Sequence, residues 1–333
     1  MRSPNRYMTE TTYGTVKVLS DTNYRIKHPD HPEGQSSTIN RKEIEWQGEK
    51  TSIYAHVYSP TDREPRGNLL LIHGMSSKGA TWKKMVKLLA RMGFRAIAPD
   101  LPNHGSSGEL KGVKRMNDYS EQVYQMVRDL GVEDCIVATS SSACFIGLAM
   151  ANDHPEFVKG AYMSGAIHSV DDIPMGWVYK RFRKLVRHLP INPAKFVKNV
   201  QGYFRAKTPG ERWANLKSGD YFLSREGFVD FMDATMRFKP RIPDGIPCAL
   251  QFADKDNLSR IDEIRAKYRK ISNGNGIQVY LVKSSGHHIQ REAPYSFASN
   301  LWNFAETVGY IPEKNEDVDI ILNHAKGQYR RLV

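Results

Sequence analysis

From residue 68 to residue 165 short, wholly apolar runs alternate with amphipathic stretches of helical period, and this alternation restricts the chain to a parallel sheet covered on both faces. Asn68-Leu-Leu-Leu-Ile-His-Gly74, Phe94-Arg-Ala-Ile-Ala-Pro-Asp100, Cys135-Ile-Val-Ala138 and Phe157-Val-Lys-Gly-Ala-Tyr-Met-Ser-Gly165 read as buried strands. In the first intervening helix Trp82, Met85, Val86 and Leu89 share one face and Lys83, Lys84, Lys87 and Arg91 the other, with Gly93 placed as a C′ residue. The second carries Tyr119, Val123, Met126, Val127 and Leu130 in register; the third, Ala143 to Ala151, is apolar all round and suits burial against the sheet.

On either side the pattern changes. Residues 1–40 are polar, without sustained periodicity, and are expected as a surface or partly disordered extension. Arg41-Lys-Glu-Ile-Glu-Trp-Gln and Thr51-Ser-Ile-Tyr-Ala-His-Val-Tyr alternate about Gly48, which predicts an antiparallel hairpin. Residues 168–243 are helical in pattern, basic and aromatic; an insert too long for an unstructured connection predicts a helical cap. The sheet rhythm then resumes with Pro247–Ala253, a helix over 260–271, Ile277–Val282 and a closing helix over 293–308. The expected organisation is a core of residues 41–167 and 244–310, with a tail of 311–333 holding a short helix near Val318–His324.

In open parallel sheets reactive groups gather at the carboxyl ends of strands. Those ends carry His73-Gly74-Met75, Asp100, Ser140-Ser141-Ser142, Asp254-Lys-Asp256 and Gly286-His287-His288, so a serine, an acid and a histidine occur in that chain order. These features resemble the α/β-hydrolase fold. Leu71-Ile-His-Gly is similar to the family's oxyanion strand, Ala98-Pro-Asp-Leu-Pro-Asn-His-Gly-Ser-Ser to its Pro-Asp-Leu-x-x-His-Gly-x-Ser loop, Ala253-Asp-Lys-Asp256 to its acid turn, and Ser285-Gly-His-His-Ile-Gln-Arg-Glu-Ala-Pro294 to its histidine loop. The hairpin and cap look most like the monoacylglycerol-lipase and lysophospholipase-like branch. The resemblance implies a mostly parallel central sheet flanked by helices, with the cap inserted after the strand at 157–165.

The stretch Thr139-Ser-Ser-Ser-Ala143 departs from the family's Gly-x-Ser-x-Gly elbow, since neither glycine is present. Two registers fit: Ser140 within Ala138-x-Ser-x-Ser142, which resembles the elbow of bacterial luminescence acyltransferases, or Ser141 within Thr139-x-Ser-x-Ala143. The second keeps both flanks aligned without a gap and is preferred. The resemblance then implies Ser141 as nucleophile, His287 as general base and Asp256 as its partner, with the backbone N–H groups of Met75 and Ser142 as oxyanion hole. Asp254 and His288 are the neighbouring alternatives for acid and base. His73 and His104 read as loop braces. The implied activity is cleavage of a carboxylic ester or thioester through an acyl-enzyme, with no metal or organic cofactor. Acyl transfer through the same residues and non-catalytic binding of a small molecule are the alternatives.

Net charge is +12, with Lys180, Arg181, Arg183, Lys184 and Arg187 clustered in the cap; the blander reading is a solvated helix face. The sharper reading is an anionic or lipid-like acyl substrate, or peripheral contact with an anionic membrane. The aromatic residues Trp177, Tyr179, Tyr203, Phe204 and Trp213 are expected to pack the cap. Nucleic acid is not expected as a partner, because the charge is spread along the chain and no recognition motif accompanies it. Three cysteines in apolar runs, no apolar leader and no long apolar segment are the pattern of a cytoplasmic protein.

Overall fold

The computed structural model describes residues 8–27, 36–65, 67–75, 77–113, 115–172, 180–182, 184, 224–256, 261–271, 276–311, 314 and 316–332. Its strands are β1 (Met8–Glu10), β2 (Gly14–Lys27), β3 (Ser36–Gly48), β4 (Ser52–Pro60), β5 (Asn68–Ile72), β6 (Arg95–Pro99), β7 (Cys135–Ser140), β8 (Val158–Ser164), β9 (Cys248–Ala253), β10 (Ile277–Val282) and β11 (Tyr329–Arg331). Its α-helices are α1 (Lys83–Arg91), α2 (Met116–Asp129), α3 (Cys144–Asp153), α4 (Arg225–Arg237), α5 (Ile261–Ile271), α6 (Ile289–Glu292), α7 (Pro294–Thr307) and α8 (Glu316–Ala325). All the strands join one sheet in the order β1-β2-β3-β4-β6-β5-β7-β8-β9-β10-β11. Pairing is parallel from β6 through β10 and antiparallel outside that block.

The order reverses at β5. The β5–α1–β6 crossover runs one way along the sheet and β6–α2–β7 returns the other way, so α1 and α2 fall on opposite faces when both crossovers are right-handed. Two apolar layers result. One packs α2, α3, α4 and α5 against Leu70, Ile72, Val137 and Met163; the other packs α1, α7 and α8 against Leu69, Leu71, Ala138 and Tyr162. Successive residues of β5 and β7 thus enter opposite layers, which explains why these strands read as continuous apolar runs. The switch point falls at the carboxyl ends of β5 and β7, where such sheets place their sites.

The N-terminal expectation needs correction. Residues 8–10, 14–27 and 36–40, anticipated as a polar extension, are strands paired into the sheet. The period-2 pattern of β2 is hidden by a bulge: Val18 pairs with Ile44 but Ser20 with Glu43, so Leu19 is extra and the parity of every later side chain flips. The outer half of this ribbon is also largely exposed, which leaves no apolar face to recognise. The predicted hairpin is present as β3 and β4, and β11 adds a short antiparallel edge beside β10. Most of the expected cap, residues 173–179, 183 and 185–223, lies outside the described residues, and with it Trp177, Tyr179, Arg183, Arg187, Tyr203, Phe204 and Trp213. No helix among the described residues is long and apolar enough to cross a membrane.

One ion pair ties the ends of the chain to the middle. Arg91, at the end of α1, meets Asp317 of α8 at 2.7 Å, with side chains only 6% and 12% exposed, and Asp317 also accepts the Ser37 hydroxyl at 2.8 Å. Removing one member of such a pair strands the other charge away from water. Asp317→Ala is therefore expected to lower unfolding stability by about 3 kcal/mol in urea titration; a change below about 0.5 kcal/mol, the usual effect of a surface substitution, would contradict this account.

Candidate active site

The site is built on the carboxyl ends of strands β5 to β10. At the end of β5, His73 Nε2 accepts the Leu101 N–H at 2.9 Å while Nδ1 faces the Gly74 carbonyl at 2.9 Å. One ring nitrogen must accept and the other donate, so the ring is neutral; burial pushes its pKa down in the same sense. His104 is likewise buried, its Nδ1 3.0 Å from the Pro102 carbonyl, and burial first and His73 second hold its pKa well below the ordinary value. Asp100 receives the Gly79 N–H at 2.6 Å and the Ser106 N–H at 2.8 Å. These three groups brace the two loops beside the elbow and direct no reactive atom outward.

At the end of β7 the two candidate serines part. Ser140 is the last extended residue, with φ −122 and ψ 129, and is 3% exposed; its Oγ accepts the Gln290 Nε2 amide at 3.3 Å. Ser141 has φ +56, a left-handed conformation that costs a non-glycine residue about 1–3 kcal/mol and is held only where the surroundings dictate it. It is half-buried, and its hydroxyl has no hydrogen-bond partner among the described residues. Ser142 and Ala143 follow in a 3₁₀ turn that runs into α3.

The missing glycines are explained by a displaced one. Thr139 follows Cys135 and Val137 in facing α3, and a Cβ added to Gly147 of that helix would stand 2.7 Å from Thr139 Cγ2. The methyl that threonine brings to the elbow fills the space that glycine leaves in the helix. On the other side Gly74 lies so close that a Cβ there would be 2.9 Å from the Ser140 carbonyl and 3.0 Å from Ser141 Cβ. Met75, next in the chain, donates its N–H to Ser142 Oγ at 2.9 Å.

The acid and histidine also meet. His287 Nδ1 is 2.8 Å from Asp256 Oδ2, with side chains 8% and 0% exposed. Asp254 is exposed and instead accepts the Ser285 N–H at 3.3 Å. His288 sits edge-on to the His287 ring at the start of α6, and its carbonyl receives the Arg291 and Glu292 N–H groups. The histidine loop is further held by Glu292 Oε2, which accepts the Gly286 N–H at 2.8 Å. Gly165, at the end of β8, has φ +58 and lies under the imidazole, where a Cβ would be 3.0 Å from Cε1. Because Gln290, three residues after His287, reaches Ser140, the histidine loop packs directly against the elbow.

Sequence reasoning passed over Gln290 and the Ser142 hydroxyl, whose partners are remote in the chain. Gly165 was legible only as a strand end. Of the expected cap, α4 is described. Its Phe231 lies edge-on to His104 and Tyr119, and Lys180 pairs with Asp171 at the surface. The thiol of Cys144, three residues past Ser141, donates to the Ile167 carbonyl and is pushed up to about 12 by burial, which leaves it unreactive. Gly147→Ala is expected to destabilise the fold by about 1–3 kcal/mol, as overpacking does. Thr139→Ala should recover much of the loss in the double variant, and strict additivity in a denaturation cycle would refute the complementary fit.

Comparison with known proteins points the same way. A family model described as alpha/beta hydrolase fold matches residues 67–195. An (E)-2-((N-methylformamido)methylene)succinate hydrolase from Acinetobacter baylyi is 26% identical over 160 residues, 48% of this chain and 54% of that protein. The chain thus spans about half the length of that relative. The non-heme chloroperoxidase CPO-A1 of Kitasatospora aureofaciens is 23% identical over 66% of this chain and 84% of its own. Among solved structures, a thermophilic esterase from Thermogutta terrifontis superposes with a TM-score of 0.62 at 16% identity, covering 86% of this chain and 99% of the esterase. These names single out no lipase branch. The sheet order and these likenesses together show that the chain has the α/β-hydrolase fold.

Proposed function

We propose that the protein is a serine hydrolase of carboxylic esters or thioesters, with Ser141 as nucleophile, His287 as general base and acid, and Asp256 as the residue that orients the imidazole. The observation that carries this reading is the left-handed φ of Ser141 at the end of β7; it is supported by the buried His287–Asp256 pair, whose loop reaches the neighbouring Ser140 through Gln290. Strain of this kind gathers at reactive positions, because a sharp strand-to-helix turn projects the hydroxyl from the sheet.

In this reading Asp256 accepts His287 Nδ1–H, which leaves the Nε2 lone pair for the serine proton. Ser141 Oγ forms a bond to the acyl carbon, the carbonyl π pair moves onto oxygen, and the proton passes to Nε2. Collapse of the tetrahedral species breaks the bond to the alcohol or thiol, which leaves with that proton. Water then repeats the sequence on the acyl-serine, and Ser141 regains its proton through His287. The Met75 and Ser142 N–H groups are proposed to stabilise the oxyanion, each donor typically contributing about 3 kcal/mol. The substrate is an acyl compound; the basic residues expected in the cap favour an anionic or lipid-like one. Names among the relatives, a hydrolase and an esterase, support the class and not the substrate.

A fluorophosphonate probe is expected to label the wild-type protein and Ser140→Ala but not Ser141→Ala, read by gel fluorescence and by mass of the modified peptide. Loss of labelling in Ser140→Ala with retention in Ser141→Ala would move the nucleophile, and a folded, unlabelled wild type would remove the activity. Asp256→Asn should lower kcat by about 10³–10⁴ without abolishing the fold.

A further inference from the structure

The Met75 amide has a partner within the protein. It donates to Ser142 Oγ at 2.9 Å, and Ser142 is 1% exposed. Among the described residues no acceptor lies within hydrogen-bond distance of the Ser142 hydroxyl proton. A buried hydroxyl that accepts one hydrogen bond and donates none leaves its single donor unmet. It also lies at a particular seam. Ser142 directly follows the strained Ser141, while Met75 follows Gly74, whose backbone packs on Ser140 and Ser141. The hydroxyl therefore stands between the two backbone segments that flank the nucleophile.

Resting on the serine-hydrolase reading, we infer that Ser142 Oγ–H is a donor to the oxyanion in place of a direct contact from the Met75 N–H, which instead orients the hydroxyl by binding its lone pair. In the chain Met75 N–H to Ser142 Oγ–H to acyl oxygen, each hydrogen bond polarises the next. A hydroxyl facing a developing oxyanion makes a short, charge-assisted bond. Because the amide already fixes the rotamer, the donor needs no reorganisation when charge appears, which is the condition under which such groups accelerate acyl transfer. Ser142 would be a catalytic residue through its side chain as well as its backbone.

The competing arrangement is a plug: the hydroxyl merely occupies the Met75 amide and must swing away before an acyl oxygen can bind. The two predict opposite signs. On the full chain, the rate of fluorophosphonate labelling and the steady-state hydrolysis of p-nitrophenyl acetate are measured for wild type, Ser142→Ala and Ser142→Thr, with a thermal melt of each. The expected result is a fall in labelling rate and kcat of about tenfold or more for Ser142→Ala, with KM within about twofold and Tm near wild type, and substantial recovery in Ser142→Thr, which keeps the hydroxyl. Should Ser142→Ala fail to fold, Ser142→Cys, of similar volume and a weak donor, carries the same expectation. Unchanged or faster labelling in Ser142→Ala overturns the inference while leaving the Ser141 reading intact, as does a folded Ser142→Thr that is as slow as the alanine variant. A wild type that is neither labelled nor hydrolytic overturns both.

Discussion

The left-handed turn at Ser141 is the constraint around which the core is arranged. A non-glycine residue leaves the extended strand and enters a helix within one position, at an energetic cost that the neighbouring contacts must offset. They do so from both sides. Thr139 and Gly147 interlock beneath the turn, Gly74 presses on it from the end of β5, and α3, the helix that follows, is buried by its apolar surface. A turn held this firmly needs no glycine of its own, because the close approach of helix to strand is supplied one helical turn further on.

The same logic extends to the loops. Each strand end that contributes to the site is tied to a neighbour by a backbone N–H donated to a side chain: Leu101 to His73, Gly79 and Ser106 to Asp100, Ser285 to Asp254, Gly286 to Glu292. Connecting segments are the mobile parts of most domains. Here these polar backbone groups are satisfied by residues of the same or a neighbouring loop, so the serine, the imidazole and the carboxylate are carried on braced segments. The His287–Asp256 pair is itself buried, and the missing side chain of Gly165 leaves room for the imidazole beside it.

How much of this could be read from the residues depended on whether the cause was local. Strands β5 to β10 were legible because burial on two faces demands continuous apolar runs, and the helices because burial on one face demands a 3.6-residue period. Strand β2 was not, because a single extra residue at Leu19 inverts its parity, and β11 was not, because Tyr329-Arg-Arg331 is a short polar edge. In the candidate site, acid, base and serine were visible as types at strand ends. The flanks favoured Ser141 over Ser140, while which of the two takes the positive φ is visible only in the fold. So is the Met75–Ser142 bond, which joins positions 67 residues apart through a side chain that a motif records only as x.

The knot of Arg91, Asp317 and Ser37 also bears on how the chain reaches its fold. The long ribbon of β2 and β3 and the hairpin to β4 use neighbours in sequence and can form as soon as they are made. Arg91 cannot meet Asp317 until α8 has been synthesised, because 226 residues separate them. A side chain destined for the interior therefore waits for its charged partner, and the layer formed by α1, α7 and α8 cannot close before α8 is made. Order of assembly is thus written into where the buried charge was put.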